Sequence, residues 1–442
     1  MSSDKVVKTE KVEKVEKSKV SKAGQAQSDK KSDKTVKRLR LAAFLGVMGP
    51  GVLAGLSDDD PAGITTYSQL GAKYGYSLIW TLGISTIALI LFQDLGARIG
   101  VVTRQGLLGL VRQKYGARSG VLSASALVLA NIGTMTAEFA GIAAAGSLFG
   151  LSKYLTVPLA AIGVSALVLR GSFARVEKVF FLLAAVFIAY VVAGFMAHPA
   201  WGSAFHGLVV PAMPFNRDAI YIATATLGTT LAPWGLAFIQ SYAVDKRLTR
   251  DDLKLLRADV WIGSLLTGVI GFFVIVTCAA TLNAHGTFNI QDATDAAAAL
   301  KPLAGSLAKD LFAVGLVGAA LLAASILPLS TAYSISDLTG RPAALDDDFK
   351  SAPLFYGTFG VITVVSAGLI LIPGAPLIRI LVVTQVLNAI LLLPLLGYLY
   401  GIAKDKRLMG EFAASKNMRI VYLAIIAIVM ACVLAMLWFT VH

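Results

Sequence analysis

The chain of 442 residues is 56% hydrophobic and only 15% charged, with a mean hydropathy of +0.73. This composition excludes an ordinary soluble globular protein. The formal net charge of +13 does not indicate a nucleic-acid partner, because 13 of the 39 Lys and Arg residues lie in the first 40 positions. We predict a polytopic membrane protein that begins with a disordered basic cytoplasmic tail at 1–40; contact of this tail with anionic lipid is the alternative.

Eleven hydrophobic runs are long enough to cross a bilayer, which takes about 17 to 25 residues. They are residues 41–71, 76–97, 119–149, 154–169, 179–197, 218–243, 258–282, 308–338, 353–373, 376–400 and 419–440. An odd number of spans places the two termini on opposite sides of the membrane. Cys278 and Cys432 both fall in apolar runs, so we expect separate buried thiols.

The loops between these runs carry Lys and Arg asymmetrically. With the N-terminus inside, the inner loops hold 20 of the basic residues beyond the tail and the outer loops hold six. Short cytoplasmic loops carry such an excess. We therefore expect a multi-pass protein of the cell (inner or plasma) membrane, with a cytoplasmic N-terminus and an extracytoplasmic C-terminus. No cleavable signal peptide is expected, since the charged start is longer than an n-region.

Acidic side chains within the spans carry the strongest functional signal, because Asp at bilayer depth costs about 2.5 to 3.5 kcal/mol. Asp94 lies four residues before Arg98, and we expect these two to pair near a helix end. Asp337 is expected at the membrane interface. The Asp cluster at 58–60 has no such explanation, because apolar chain precedes and follows it.

Two spans contain a proline next to glycines. Pro61 follows the Asp cluster, and Pro233 in the sixth span is followed by Gly235. Proline disfavours helix at the preceding residue, so we expect breaks there. Broken first and sixth helices are typical of transporters with inverted five-helix repeats, here about 41–200 and 218–400 in a core of 41–400, followed by a loop and the eleventh helix at 401–442. Two unrelated proline kinks packed by neighbouring helices are the alternative.

The breaks would provide an oxygen-rich, negatively charged site. A carboxylate and freed carbonyls suit hard cations such as Mg²⁺, Ca²⁺ or Mn²⁺. Soft ligands are missing near either break, since the four histidines lie in outer loops or at the terminus. Small residues such as Ala62, Gly63 and Ala232 leave room for a partly hydrated ion.

These motifs resemble the Nramp family of divalent-metal transporters, which have the LeuT fold. The family's first helix has a Gly-Pro-Gly start and then Asp-Pro-Gly-Asn, matched here by GPG at 49–51 and DPAG at 60–63. Its sixth helix, roughly Gly-Ala-Thr-Val-Met-Pro-His-Asn, is matched by GTTLAPWG at 228–235. TAEFAG at 136–141 and TQVLNAILLLP at 384–394 extend the likeness. The resemblance implies an all-α LeuT fold with eleven transmembrane helices, of which helices 1 and 6 are broken.

The departures from the family pattern concern its metal ligands. Ala232 replaces the binding methionine, Gly63 the binding asparagine, Trp234 the histidine and Met135 an acid of the third helix. This pattern resembles the Nramp-related magnesium transporters, a branch whose site admits larger hydrated ions. Methionine sulfur favours transition metals over Mg²⁺, so its loss removes that discrimination.

The resemblance also implies which residues form the site. The metal would meet groups of Asp60, Gly63, Thr229, Ala232 and Gln385, through the Asp carboxylate, the carbonyls near Thr229 and Ala232, and the Gln amide. An interhelical hydrogen bond is the alternative role for Gln385. The cavity around the metal would be lined by Thr230, Trp234, Asn388 and Glu138. Asp58 and Asp59 either line an entry path or sit at a helix end.

We expect a secondary transporter, monomeric and without a cofactor, that takes up divalent ions by alternating access, mainly Mg²⁺ with Mn²⁺ also accepted. Proton coupling is expected to be absent because Met135 and Trp234 replace titratable groups, although Glu138 alone could conduct protons. A proton-coupled Mn²⁺/Fe²⁺ Nramp transporter is the closest alternative. A LeuT-fold organic-solute symporter fits less well, and no catalytic spacing supports an enzyme.

Overall fold

The computed structural model describes residues 49–170, 188–286, 308–341 and 349–441, with single residues 288, 290 and 305 between them. All regular secondary structure in these ranges is helical. The predicted tail at 1–40 lies outside the described residues, as do positions 179–187 of the fifth predicted span.

The α-helices of the described ranges are, in chain order, α1 (Pro50–Asp58), α2 (Pro61–Tyr74), α3 (Ile79–Thr103), α4 (Leu107–Tyr115), α5 (Ala117–Ser147), α6 (Lys153–Arg170), α7 (Ile188–Met196), α8 (Trp201–Val209), α9 (Arg217–Thr230), α10 (Pro233–Asp245), α11 (Leu253–Thr281), α12 (Ala308–Thr339), α13 (Pro353–Leu371), α14 (Leu377–Ala403), α15 (Lys406–Met409) and α16 (Lys416–Val441). Within the described ranges, eight helical segments are long and apolar enough to cross a membrane. The α9 and α10 pair counts as one of them, and α6 is a shorter apolar helix. The predicted all-α polytopic fold is therefore confirmed.

Both predicted helix breaks are present. The first span divides where α1 ends and α2 begins, and the sixth divides between α9 and α10. Pro61 and Pro233 each lie in the first turn of the second half-helix, where a missing N–H costs no helical hydrogen bond. Asp60 and Ala232 before them are extended, with ψ of 171° and 136°. This is the conformation that a following proline favours.

Glycines allow α1 and α11 to pack with their backbones in contact. A Cβ atom on Gly55 would lie 2.4 Å from the carbonyl carbon of Gly263, and one on Gly263 would lie 2.1 Å from the carbonyl oxygen of Gly51. Thr267 Oγ1 also donates to the Gly55 carbonyl at 2.6 Å. The first half-helix is thus held along the face of α11.

The expected Asp94 ion pair forms with a different partner. Arg257 Nε of α11 lies 2.6 Å from Asp94 Oδ1, whereas Arg98 Nη2 donates to the hydroxyl of Tyr422 at 3.2 Å. The predicted pairing with Arg98 is wrong, because packing of α11 and α16 against α3 provides a closer partner for each side chain. Asp337 lies two residues before the end of α12, where its carboxylate accepts from Ser241 Oγ at 2.8 Å.

Candidate metal site

Asp60 caps the helix that follows the first break. Its carboxylate Oδ1 accepts from the Gly63 amide at 2.5 Å, and its carbonyl accepts from the Ile64 amide at 2.8 Å. Because Pro61 keeps Asp60 extended, the side chain turns back over the first turn of α2. Asp60 is only 3% exposed. The break therefore holds a buried carboxylate in a fixed position.

Three oxygen atoms lie close to the side-chain position of Gly63. A Cβ atom built on Gly63 would lie 2.9 Å from the Asp58 carbonyl oxygen, 3.1 Å from Thr229 Oγ1 and 3.2 Å from Asp60 Oδ1. Thr229 is 2% exposed, and its hydroxyl has no hydrogen-bond partner within the described chain. Buried hydroxyls are normally paired, so an oxygen left without a partner is available to a ligand. We call these three atoms the Gly63 oxygens; they match the ligand type of a hard cation.

The hydroxyl of Thr229 is the atom of this residue that lies near Gly63, and its role as a metal ligand stays a prediction. The family resemblance implied that the metal meets a backbone carbonyl near Thr229. The structure instead directs its hydroxyl toward Gly63. A threonine side chain in an apolar helix gives no sequence signal for this, because such hydroxyls commonly bond to the carbonyl four residues earlier, as Thr226 does here.

At the second break, the backbone carbonyls of Ala232 and Trp234 both accept hydrogen bonds. The Ala232 carbonyl accepts from the Gly235 amide at 3.2 Å, which leaves it one lone pair. The Trp234 carbonyl accepts from Ser330 Oγ at 2.8 Å. The indole of Trp234 is 1% exposed and lies 6.4 Å from the Phe238 ring, centroid to centroid. It is thus packed among other side chains beside the break.

Gln385 and Asn388 form a polar network on α14. Asn388 Nδ2 donates to Gln385 Oε1 at 2.9 Å, and it also lies 2.9 Å from Thr134 Oγ1 of α5. The side-chain Nε2 of Gln385 has no hydrogen-bond partner in the part of the chain that the structure describes. Its backbone lies against α9, since a Cβ on Gly228 would come within 1.8 Å of the Gln385 carbonyl oxygen. This backbone contact with Gly228 places Gln385 next to the helix that carries Thr229.

Thr230 lies in a hydroxyl chain beside the break. Its Oγ1 lies 2.9 Å from the Tyr67 hydroxyl and accepts from Ser85 Oγ at 3.1 Å. Thr230 Oγ1 also donates to the carbonyl of Thr226 at 2.9 Å. The side chain is therefore fully engaged, and it links α9 to α2 and α3.

Four carboxyl groups are buried around the first break, and no described Lys or Arg pairs with them. They belong to Asp58, Asp59, Asp60 and Glu138, each 3% exposed or less. The carboxyl group of Glu138 lies within hydrogen-bond reach of the Asp60 carboxyl group, and this bond requires a proton on one of the two groups. Buried charges require compensation by a cation or by protonation. In the described ranges no three His, Cys, Asp or Glu side chains are grouped as metal ligands. An ion here would therefore depend on carbonyl, hydroxyl, amide or water oxygens as well.

Sequence reasoning missed Asp259. This residue of α11 accepts from the amides of Gly49, Gly51 and Val52, at 3.2, 2.6 and 3.3 Å. It is 0% exposed and fixes the start of α1. Asp259 is the second residue of the seventh apolar run, 258–282, and an acidic residue at that position was the sequence signal that could have identified it.

Comparison with known proteins places this geometry in a family. The model of the family described as natural resistance-associated macrophage protein-like, or Nramp, matches residues 51–439. The divalent metal cation transporter MntH of Klebsiella pneumoniae is 27% identical over 417 residues, covering 91% of this chain and 95% of the relative. The protein of the same name from Yersinia enterocolitica is 27% identical over 412 residues, with coverage of 90% and 94%.

Solved structures share the fold. The manganese transporter of Eremococcus coleocola matches with a TM-score of 0.74 at 18% identity, covering 88% of this chain and 86% of that one. MhsT in complex with L-phenylalanine matches with a TM-score of 0.58 at 13% identity, covering 87% and 98%. The predicted LeuT fold is thereby confirmed. Because the family model covers most of the chain, this membrane protein belongs to the Nramp family.

Proposed function

We propose that this protein is a secondary transporter that takes up divalent metal ions by alternating access, mainly Mg²⁺ with Mn²⁺ also accepted. The observation that carries the proposal is the set of Gly63 oxygens, from Asp58, Asp60 and Thr229. They lie 2.9 to 3.2 Å from the position that a Cβ atom on Gly63 would take. The relatives named as divalent metal cation transporters and as a manganese transporter support the class of ion.

The preference for Mg²⁺ is proposed from the chemistry of the ligands. All three atoms near Gly63 are oxygens, so this set offers no sulfur or imidazole ligand. Ala232 at the second break adds only a backbone carbonyl. Mg²⁺ retains several of its waters. The side-chain position of Gly63 lies 2.9 to 3.2 Å from the three oxygens, which is hydrogen-bonding distance for one such water. An all-oxygen site also accepts Mn²⁺, whereas a soft ligand would be needed to select against Mg²⁺.

Movement of the ion is proposed to depend on the two breaks. The C-terminal ends of α1 and α9, which carry partial negative charge, meet near Asp60 and Thr229 and would stabilise a bound cation. In the described conformation Asp60, Thr229 and Gln385 are all 3% exposed or less, so exchange with water requires a second conformation. With a cytoplasmic N-terminus, the membrane potential would drive inward movement by about 2.3 kcal/mol per charge per 100 mV, or about twice that for a divalent ion.

Transport is proposed to be uncoupled from protons. Met135 and Trp234 stand where the family resemblance places titratable groups. Glu138 favours the alternative of a proton-coupled Mn²⁺/Fe²⁺ transporter, because a buried carboxyl group beside Asp60 can take up a proton when a cation leaves. A flux measurement separates the two functions.

The test is uptake into proteoliposomes that contain the full-length chain. We expect saturable uptake of Mg²⁺ and Mn²⁺, competition of millimolar Mg²⁺ with Mn²⁺, loss of both fluxes in Asp60→Ala, and no acidification of the lumen during Mg²⁺ entry. Mn²⁺ uptake that millimolar Mg²⁺ does not inhibit, and that acidifies the lumen in fixed stoichiometry, would establish the proton-coupled alternative. The lack of any divalent flux would reject both.

A further inference from the structure

Asp58 presents its backbone and its side chain to two different glycines. Its carbonyl oxygen is one of the Gly63 oxygens, whereas its carboxylate Oδ1 lies beside Gly235 of α10. A Cβ atom on Gly235 would lie 3.8 Å from Asp58 Oδ1 and 3.5 Å from Gln93 Nε2 of α3. Apart from the neighbours and helix backbone of Gly235, these are the only described atoms within 4 Å. The glycine therefore leaves space between a carboxylate and an amide.

Both of these polar groups are buried without a partner. Asp58 is 1% exposed, and its two carboxylate oxygens make no hydrogen bond to any described residue. Gln93 is 0% exposed and its Nε2 is likewise unpaired within the described ranges, while its Oε1 accepts from Ser264 Oγ at 3.3 Å. Rotation of the terminal amide would let Nε2 donate to Ser264 and turn Oε1 toward Asp58. Buried polar groups normally have partners, so both indicate a ligand in this space.

We propose that Asp58 and Gln93 form a second station for a hydrated divalent cation, beside Gly235 and adjacent to the Gly63 oxygens. The class of ion rests on the function proposed above. Carboxylate and amide oxygens are ligands that Mg²⁺ and Mn²⁺ accept, and the absent side chain of Gly235 admits part of the water shell. Because Asp58 faces both positions, an ion passes from one to the other along oxygen ligands. Two divalent ions this close repel each other, so the positions are occupied in turn.

The test measures binding of Mn²⁺ alone to the purified full-length protein in detergent, by electron paramagnetic resonance. Asp60→Ala is expected to retain one Mn²⁺ per chain at reduced affinity. Adding Asp58→Asn is expected to weaken this residual binding roughly tenfold or more, as loss of a charged ligand does. Gly235→Ala in the Asp60→Ala background is also expected to weaken it, because the new methyl group fills the space at ordinary contact distances.

Asp59→Asn in the Asp60→Ala background is the matched control. It removes the same charge from the next residue, whose carboxylate is not among the atoms within 4 Å of the Gly235 Cβ position. Retained binding in this variant supports the station, whereas weakening equal to that of Asp58→Asn overturns it. Complete loss of Mn²⁺ in Asp60→Ala, with binding intact in the unmodified protein, also overturns it and leaves the proposed function standing. An unmodified protein that binds no Mn²⁺ would reject both.

Discussion

The carboxylate of Asp259 accepts a hydrogen bond from the amide of Gly51 at 2.6 Å, and the same carboxylate also accepts from the amides of Gly49 and Val52. The first amides of a helix have no partner within that helix. One side chain of α11 therefore satisfies the start of α1, the half-helix that ends at the Gly63 oxygens. This relationship fixes the position of α1 from the end opposite the metal site.

We expect Asp259→Ala to lower stability, because it leaves buried amides at the start of α1 unsatisfied. Loss of a helix cap costs about 0.5 to 2 kcal/mol, and each buried unsatisfied donor adds to this. The apparent thermal midpoint of the detergent-solubilised protein is the measurement. Asp251→Ala is the control, since Asp251 is exposed in the turn that directly precedes α11. Equal midpoints for the two variants would contradict the capping role.

Local rules predicted the helix breaks but not the partners of the side chains near them. Proline acts on the residue directly before it, so the breaks at Pro61 and Pro233 follow from short stretches of sequence. The partner of Asp94 is Arg257, 163 positions away, and only the packing of α11 against α3 decides between it and Arg98. The role of the Thr229 hydroxyl likewise depends on how α9 faces α2. The partner of Asp94 and the surroundings of the Thr229 hydroxyl therefore depend on tertiary packing, which sequence periodicity does not predict.

Thr229→Val is expected to weaken divalent-ion binding about two- to tenfold, the effect of about 0.5 to 1.5 kcal/mol for one lost polar contact. The change keeps the shape of the side chain and removes the unpaired oxygen at Gly63. Titration of Mn²⁺ into the purified protein measures the effect. Thr226→Val is the matched control on the same helix, because the Thr226 hydroxyl bonds to the Ile222 carbonyl at 2.8 Å. Equal affinities for the two variants would exclude Thr229 as a ligand.

Ala232→Met is expected to shift selectivity from Mg²⁺ toward Mn²⁺ and Cd²⁺. A thioether at the second break adds a soft ligand, which transition metals bind better than Mg²⁺ does. Competition of Mg²⁺ with Mn²⁺ uptake in proteoliposomes is the measurement, and we expect the inhibitory Mg²⁺ concentration to rise. Ala232→Leu controls for size without sulfur. A rise of the same extent in Ala232→Leu would assign the effect to bulk rather than to sulfur chemistry.

Gly228→Ala is expected to disturb both the fold and the metal site. A Cβ atom there would lie 1.8 Å from the Gln385 carbonyl oxygen and 2.9 Å from the Ala389 amide nitrogen, so α9 and α14 would have to separate. Overpacking of this kind costs about 1 to 3 kcal/mol, and separation would also move Thr229 away from Gly63. We expect a lower apparent thermal midpoint together with weaker Mn²⁺ binding.

Gly357→Ala on α13 is the control, because no atom lies within 4 Å of its Cβ position. Alanine there is expected to stabilise by about 0.5 to 1 kcal/mol, through its higher helix propensity. If Gly228→Ala matched this control in midpoint and affinity, the contact between α9 and α14 would not be what positions Thr229.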